Sequence, residues 1–165
     1  MITREDLEFL LHYDPETGEF TWKNPTSRKV KAGTIAGSKD KDNYTVIKVL
    51  GKNYKAHRLA WLYMTGGWPK GIIDHVNRCT SDNRWENLRV VTDKQNSYNR
   101  SPRKNTTSRY KGVHFVKHMK KWVARITKNG DSEYLGFFES EIDAAVAYNR
   151  RAKELFGPYT YLNEV

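Results

Sequence analysis

The sequence predicts an α+β chain of two small modules: an N-terminal unit ending in strand, loop, strand and helix, then a three-stranded antiparallel sheet packed on one helix. Three observations carry that expectation. Ile72-Ile73 opens a buried strand, Asn77 to Asn83 is a polar loop, Asn87-Leu-Arg-Val-Val91 returns, and Thr92-x-x-Gln95 caps a short helix that holds Asn96 and Asn99 one turn apart. From Tyr98 to Lys111 there are five basic residues, no acidic ones and a Pro102 that forbids a regular helix, as in a linker. Beyond it, three alternating runs precede a helix with one small-residue face. The boundaries expected are 1–99, a basic linker over 100–107, and 108–165.

The elements follow in order. Thr3-Arg-Glu-Asp6 reads as a capping box, and Leu7, Leu10 and Leu11 place a helix that ends near His12. Asp14-Pro-Glu-Thr-Gly18 is a turn by its Pro and Gly chemistry, and Glu19-Phe-Thr-Trp22 alternates as a strand. Pro25 to Lys41 reads as loop. Tyr44 to Leu50 and Tyr54 to His57 form a hairpin about Gly51, and Leu59 to Met64 is helical until Gly66-Gly67 stops it. In the second module Gly112–Lys117, Lys121–Thr127 and Ser132–Phe138 are strands. Ser140 caps a helix whose Ala144, Tyr148, Ala152 and Leu155 share a face, and Gly157-Pro158 ends it.

Composition narrows the partner. With 29 Lys and Arg against 19 Asp and Glu, the net charge is +10, while 38% hydrophobic and 13% aromatic residues argue for a folded basic chain. Such a surface seeks polyanions. An anionic membrane competes only weakly, because the sequence shows no basic amphipathic helix, no apolar run of spanning length and no signal-peptide pattern at its start. Nucleic acid is the partner that composition favours. The single Cys79 excludes an intramolecular disulfide and any site with two thiolates, so a reducing, cytoplasmic setting is expected and no structural zinc.

The chemistry concentrates at Asp74, His75 and Asn96. Phosphodiester hydrolysis needs a proton acceptor for water and charge relief for the leaving oxygen. A histidine with its ordinary pKa near 6.5 suits the first task. Asp74, adjacent on a strand, points to the opposite face, where with the neutral oxygen of Asn96 it offers hard ligands for one Mg2+ or Mn2+. A lone Asp-His pair is commonly structural; the spacing is what is specific. Asn77, Asp82 and Asn83 read as loop hydrogen-bonders, His57 as a packed, hydrogen-bonded residue and Cys79 as no ligand.

Asp74-His75, Asn83, Asn87-Leu88-Arg89, Thr92 and Asn96, with the upstream His57-Arg-Leu-Ala-Trp61 and Tyr13 to Trp22, resemble the HNH (ββα-metal) endonucleases, particularly the phage and intron-associated homing enzymes. The resemblance implies His75 as general base, Asp74 and Asn96 as metal ligands, and Asn87 as the amide that holds the catalytic loop and orients the base. It also implies double-stranded DNA as the partner, 5′-phosphate and 3′-hydroxyl products, and a phage protein working in a bacterial host. A monomer on DNA is favoured. A chain that binds DNA without cutting it, as a regulator on a nuclease scaffold, is the alternative.

Ser108-Arg-Tyr-Lys-Gly-Val113, Lys121-Trp-Val-Ala124, Tyr134-Leu-Gly-Phe-Phe138, Glu141-x-x-Ala-Ala-x-x-Tyr148 and Gly157 through Asn163 resemble the apetala / ethylene-response-factor DNA-binding domain. That resemblance implies a sheet that docks in the major groove. The DNA-contacting set expected is Arg100, Arg103, Lys104, Arg109, Lys111, His114, Lys117, Lys121, Trp122 and Arg125. Lys111, His114 and Val116 stand where that family usually has Arg, and Arg125 where an acidic residue is usual. Affinity through phosphates is therefore expected more than strict base readout.

Overall fold

The computed structural model describes residues 2–102 and 106–165. The chain divides into two compact units, Met1–Asp93 and Lys94–Val165.

In the first unit, helix α1 (Arg4–Leu10) starts at a reciprocal cap: Thr3 Oγ1 accepts from the Asp6 amide and the Asp6 carboxylate accepts from the Thr3 amide, both at 3.2 Å. The helix ends two residues before the sequence suggests. Leu11 and Tyr13 instead form strand β1 (Leu11–Tyr13), antiparallel to β2 (Phe20–Trp22), with Leu11 opposite Trp22 and Tyr13 opposite Phe20. Cross-strand pairing of buried side chains outweighs the helical spacing of the leucines. Within the stretch read as loop, Ser38–Lys39 forms a two-residue strand, β3, on the edge of β4 (Thr45–Val49), which pairs with β5 (Lys52–Lys55).

Helix α2 (Ala56–Thr65) follows β5 directly and stops at Gly66, whose φ of 77° is the left-handed conformation that ends a helix. Its Leu59, Ala60 and Leu62 are buried in one core with Leu7, Leu11, Tyr13, Phe20, Ile47 and Val49. Strands β6 (Ile72–His75) and β7 (Leu88–Val91) form a separate antiparallel pair, and Ile73 and Leu88 join that same core. Helix α3 (Asp93–Tyr98) comes next.

In the second unit, β8 (Val113–Val116), β9 (Lys121–Lys128) and β10 (Asp131–Phe138) form an antiparallel sheet with β9 central. Helix α4 (Glu141–Phe156) begins at Ser140, whose hydroxyl accepts from the amides of Ile142 and Asp143. Its Ala144 and Ala145 pack with Val113 and Ala124 of the sheet, and its Tyr148, Ala152 and Phe156 with Ile126. Alanines on that face let the helix lie close to the strands.

Candidate active site and basic sheet

Strands β6 and β7 present Asp74 opposite Arg89 and His75 opposite Leu88. The site is dry: Asp74 and His57 are 8% exposed, Asn87 5%, His75 4% and Asn83 3%. Polar groups this buried need partners, and here most are supplied by amides of the loop between the strands. His75 Nε2 lies 3.2 Å from Asn83 Oδ1. Asn83 Nδ2 donates to the Ser81 carbonyl at 3.3 Å, which fixes the amide with its oxygen toward the imidazole. An amide oxygen only accepts, so Nε2 carries the proton and the lone pair sits on Nδ1. Burial pushes the His75 pKa below the ordinary histidine value, partly offset by the Asn83 bond, and the neutral ring is favoured at pH 7.

Asn87 braces the loop itself. Its Oδ1 accepts from the Asn77 amide at 2.9 Å, while Nδ2 donates to Asn77 Oδ1 at 2.9 Å and to the Asp82 carbonyl at 2.8 Å. Arg84 reaches both oxygens of Asp82, at 2.9 and 2.8 Å, and holds its carboxyl at about 2. The residues that the sequence suggests as loop hydrogen-bonders are thus an interlocked set. Asn83 does more: the bond to the His75 ring is made by Asn83, and Asn87 acts one step back, on the loop. The signal in the sequence was only an Asn eight residues after a His, too generic to separate from the others.

Asp74 Oδ2 accepts from Arg89 Nε at 2.9 Å and Nη2 at 2.7 Å. That ion pair follows from the strand register and is largely buried. Among the described residues no three or more His, Cys, Asp or Glu come together as a metal site. Asn96 is half-buried on α3, at the start of the second unit.

His57, on the first turn of α2, lies edge-on to His75 with ring centroids 5.1 Å apart and planes at 87°, and Tyr44 flanks both rings at 5.4 and 6.0 Å. It is packed as expected but not fully hydrogen-bonded: among the described residues its buried Nδ1 has no hydrogen-bond partner. Burial, then the neighbouring His75, Arg58 and Lys55, lower its pKa to about 3.

In the second unit the expected DNA-contacting residues separate by face. Directly opposed residues of antiparallel strands share a face. His114, Val123 and Phe137 lie in one row and Arg125 and Tyr134 in another, so His114, Lys121 and Arg125 share the face away from α4. Trp122 is opposite Phe115 and Phe138 and packs on the Val113, Ala124, Ala144, Ala145 cluster. Trp122, expected among the DNA-contacting residues, therefore does not share the face of the cations: strand parity sends its ring and that of Phe115 to the helix side, where apolar area is buried. The aromatics beside the cations are instead Tyr134 and Phe137, 64% and 51% exposed. They are three residues apart and share a face because the pairing shifts between Tyr134 and Gly136.

Lys111 Nζ donates to the carbonyls of Tyr98 at 2.7 Å and Arg100 at 2.8 Å, a tether within the unit. Arg109 lies over the Tyr110 ring at 4.9 Å, Arg100 and Lys117 are exposed, and Arg103 and Lys104 lie outside the described residues.

Residues 54–98 match the family model of HNH endonucleases, which spans α2, the β6–β7 pair and α3. Over 127 residues the chain is 35% identical to an uncharacterized HNH endonuclease of Acanthamoeba polyphaga mimivirus, covering 76% of this chain and 65% of that protein. It is 32% identical over 111 residues to Protein 3.8 of Escherichia phage T7, covering 64% of this chain and 90% of the phage protein. No solved structure matches. Residues 54–98 thus form an HNH endonuclease domain, and the chain has viral relatives, one of them an HNH endonuclease.

Proposed function

We propose that the chain is a site-selective DNA endonuclease of the homing type, with His75 as its general base. The observation that carries this reading is a buried, neutral imidazole held at Nε2 by Asn83. Held so, His75 takes a proton from water at Nδ1 while the water oxygen attacks phosphorus. The bond from phosphorus to the 3′ oxygen breaks and that oxygen takes a proton from solvent water, leaving a 5′-phosphate and a 3′-hydroxyl. Asp74 is the residue of the first unit that would hold one Mg2+ or Mn2+, and such an ion, when bound, would relieve the charge developing on the leaving oxygen. Arg89 orients the Asp74 carboxylate in the meantime through a largely buried ion pair.

Asn87 serves as a positioning residue for the loop that carries Asn83. The sheet face bearing His114, Lys121 and Arg125 supplies phosphate contacts, with Arg100, Arg109 and Lys117 as further exposed cations. Linking grip and chemistry on one chain raises the local concentration of the cutting unit at DNA.

The test is supercoiled plasmid incubated with the protein in Mg2+ and in Mn2+, beside His75→Ala. Nicked or linear product from the wild type alone is expected. A wild-type protein that shifts DNA in a gel yet leaves it intact in both ions would instead establish the non-cleaving regulator.

A further inference from the structure

The loop that holds the imidazole is itself held from the far end of its unit. Asn83 presents its side chain to His75, but its backbone carbonyl accepts the buried Tyr13 hydroxyl at 2.7 Å, across seventy residues of sequence. Next to it, the Trp85 amide donates to the Pro15 carbonyl at 2.9 Å. Between these two bonds sits Gly18, with φ of 75°, and a Cβ there would come within 2.4 Å of Arg84 N and Asn83 C. Real side chains do not tolerate such an approach to backbone, so the turn and the loop are in direct main-chain contact. The turn is also fixed internally: Asp14 Oδ1 accepts from the amides of Glu16 at 2.8 Å and Thr17 at 3.3 Å, and Gly18 N donates to the Asp14 carbonyl at 2.8 Å.

From these contacts we infer that the β1–β2 turn is a clamp for the catalytic base, with Tyr13 and Gly18 as positioning residues acting through Asn83 on the tautomer of His75. This rests on the proposed role of His75. Tyr13 stays a donor at any working pH, because burial raises its pKa well above that of a free tyrosine. Its ring is packed independently, 4.8 Å from Phe20 and 5.7 Å from Tyr63. The hydroxyl can therefore be removed while the ring stays in its place in the core. Losing the bond frees the Asn83 carbonyl to shift, and with it the amide oxygen that keeps the proton on His75 Nε2.

The experiment uses the full chain carrying Tyr13→Phe, Gly18→Ala or His75→Ala. Two quantities are read: single-turnover and steady-state cleavage of plasmid in Mn2+, and the 15N shifts of the histidine rings at pH 8, which distinguish Nε2–H from Nδ1–H. For Tyr13→Phe the expected result is a fall in kcat of about tenfold, with KM for DNA unchanged, and a mixed His75 tautomer. For Gly18→Ala a loss of about a hundredfold is expected, the scale of a 1 Å misplacement. Wild-type kcat and a pure Nε2–H tautomer in Tyr13→Phe would overturn the clamp, whether or not Gly18→Ala folds. Cleavage by His75→Ala at the wild-type rate would remove the base assignment instead, and the tautomer shifts would still decide whether the turn sets the ring.

Discussion

The loop between β6 and β7 and the open face of the β8–β10 sheet handle polar groups in opposite ways. In the first unit His75, Asn83 and Asn87 are withdrawn from water and committed to one another through amides. In the second, His114 and Arg125 stand in solvent, and Lys121 makes an exposed ion pair with Glu139 at 3.1 Å. A group that must move a proton needs one tautomer and one position, which burial and hydrogen bonds supply at a cost in desolvation. A group that neutralises phosphate needs reach and an exchangeable counterion, which exposure supplies. The consequence is that substitutions in the two regions should differ in kind: rate and stability in one, affinity and salt dependence in the other.

The largest expected effect is on rate. His75→Ala should lower single-turnover cleavage by about a thousandfold, within the range for loss of a general base, with DNA affinity unchanged in a gel-shift titration. Next comes stability. Asp74→Ala leaves Arg89 largely buried beside its former partner and should cost about 3 kcal/mol in urea unfolding, as for breaking a buried ion pair from one side. Arg89→Gln should cost less and should raise Mn2+ affinity, read by electron paramagnetic resonance without DNA, because it removes a cation from the Asp74 carboxylate.

A smaller effect is set by pH. His57 is held at about 3 when folded, against an ordinary value near 6.5 when unfolded. Between those values the unfolded chain binds more protons, so stability rises with pH through that window and is lost as pH falls from about 6.5. His57→Phe should flatten the slope by about 1 kcal/mol per pH unit, measured by urea unfolding at pH 6.5 and 4.5. The smallest effect belongs to the sheet. Arg125→Ala should leave the maximal cleavage rate intact and reduce the slope of log affinity against log salt by about 0.9, one phosphate contact.

Local chemistry was the legible part of the sequence. Thr3 and Ser140 cap their helices because capping depends on neighbours within one turn. Asp74, His75 and Asn87 stood out by spacing, and the chain does bring them to one strand pair and the loop between its strands. Partners fixed by tertiary pairing were not legible. Ser38–Lys39 is a strand only because Thr45 and Val46 lie beside it, and Leu11 leaves its helix only because Trp22 pairs with it. Asn83 could not be told from Asn77, because its task depends on a loop path held from Tyr13. Trp122 faces the helix, and Tyr134 and Phe137 face outward together, through a register shift that alternation alone does not reveal.

The most direct measurement compares single-turnover cleavage and equilibrium DNA binding for two proteins, His75→Ala and the combined Lys121→Ala and Arg125→Ala variant, in the same Mn2+ buffer. The prediction is a crossed result: the first binds like wild type and does not cut, while the second binds more weakly and cuts at the wild-type rate once saturated. Wild-type cleavage by His75→Ala would contradict the account at its centre.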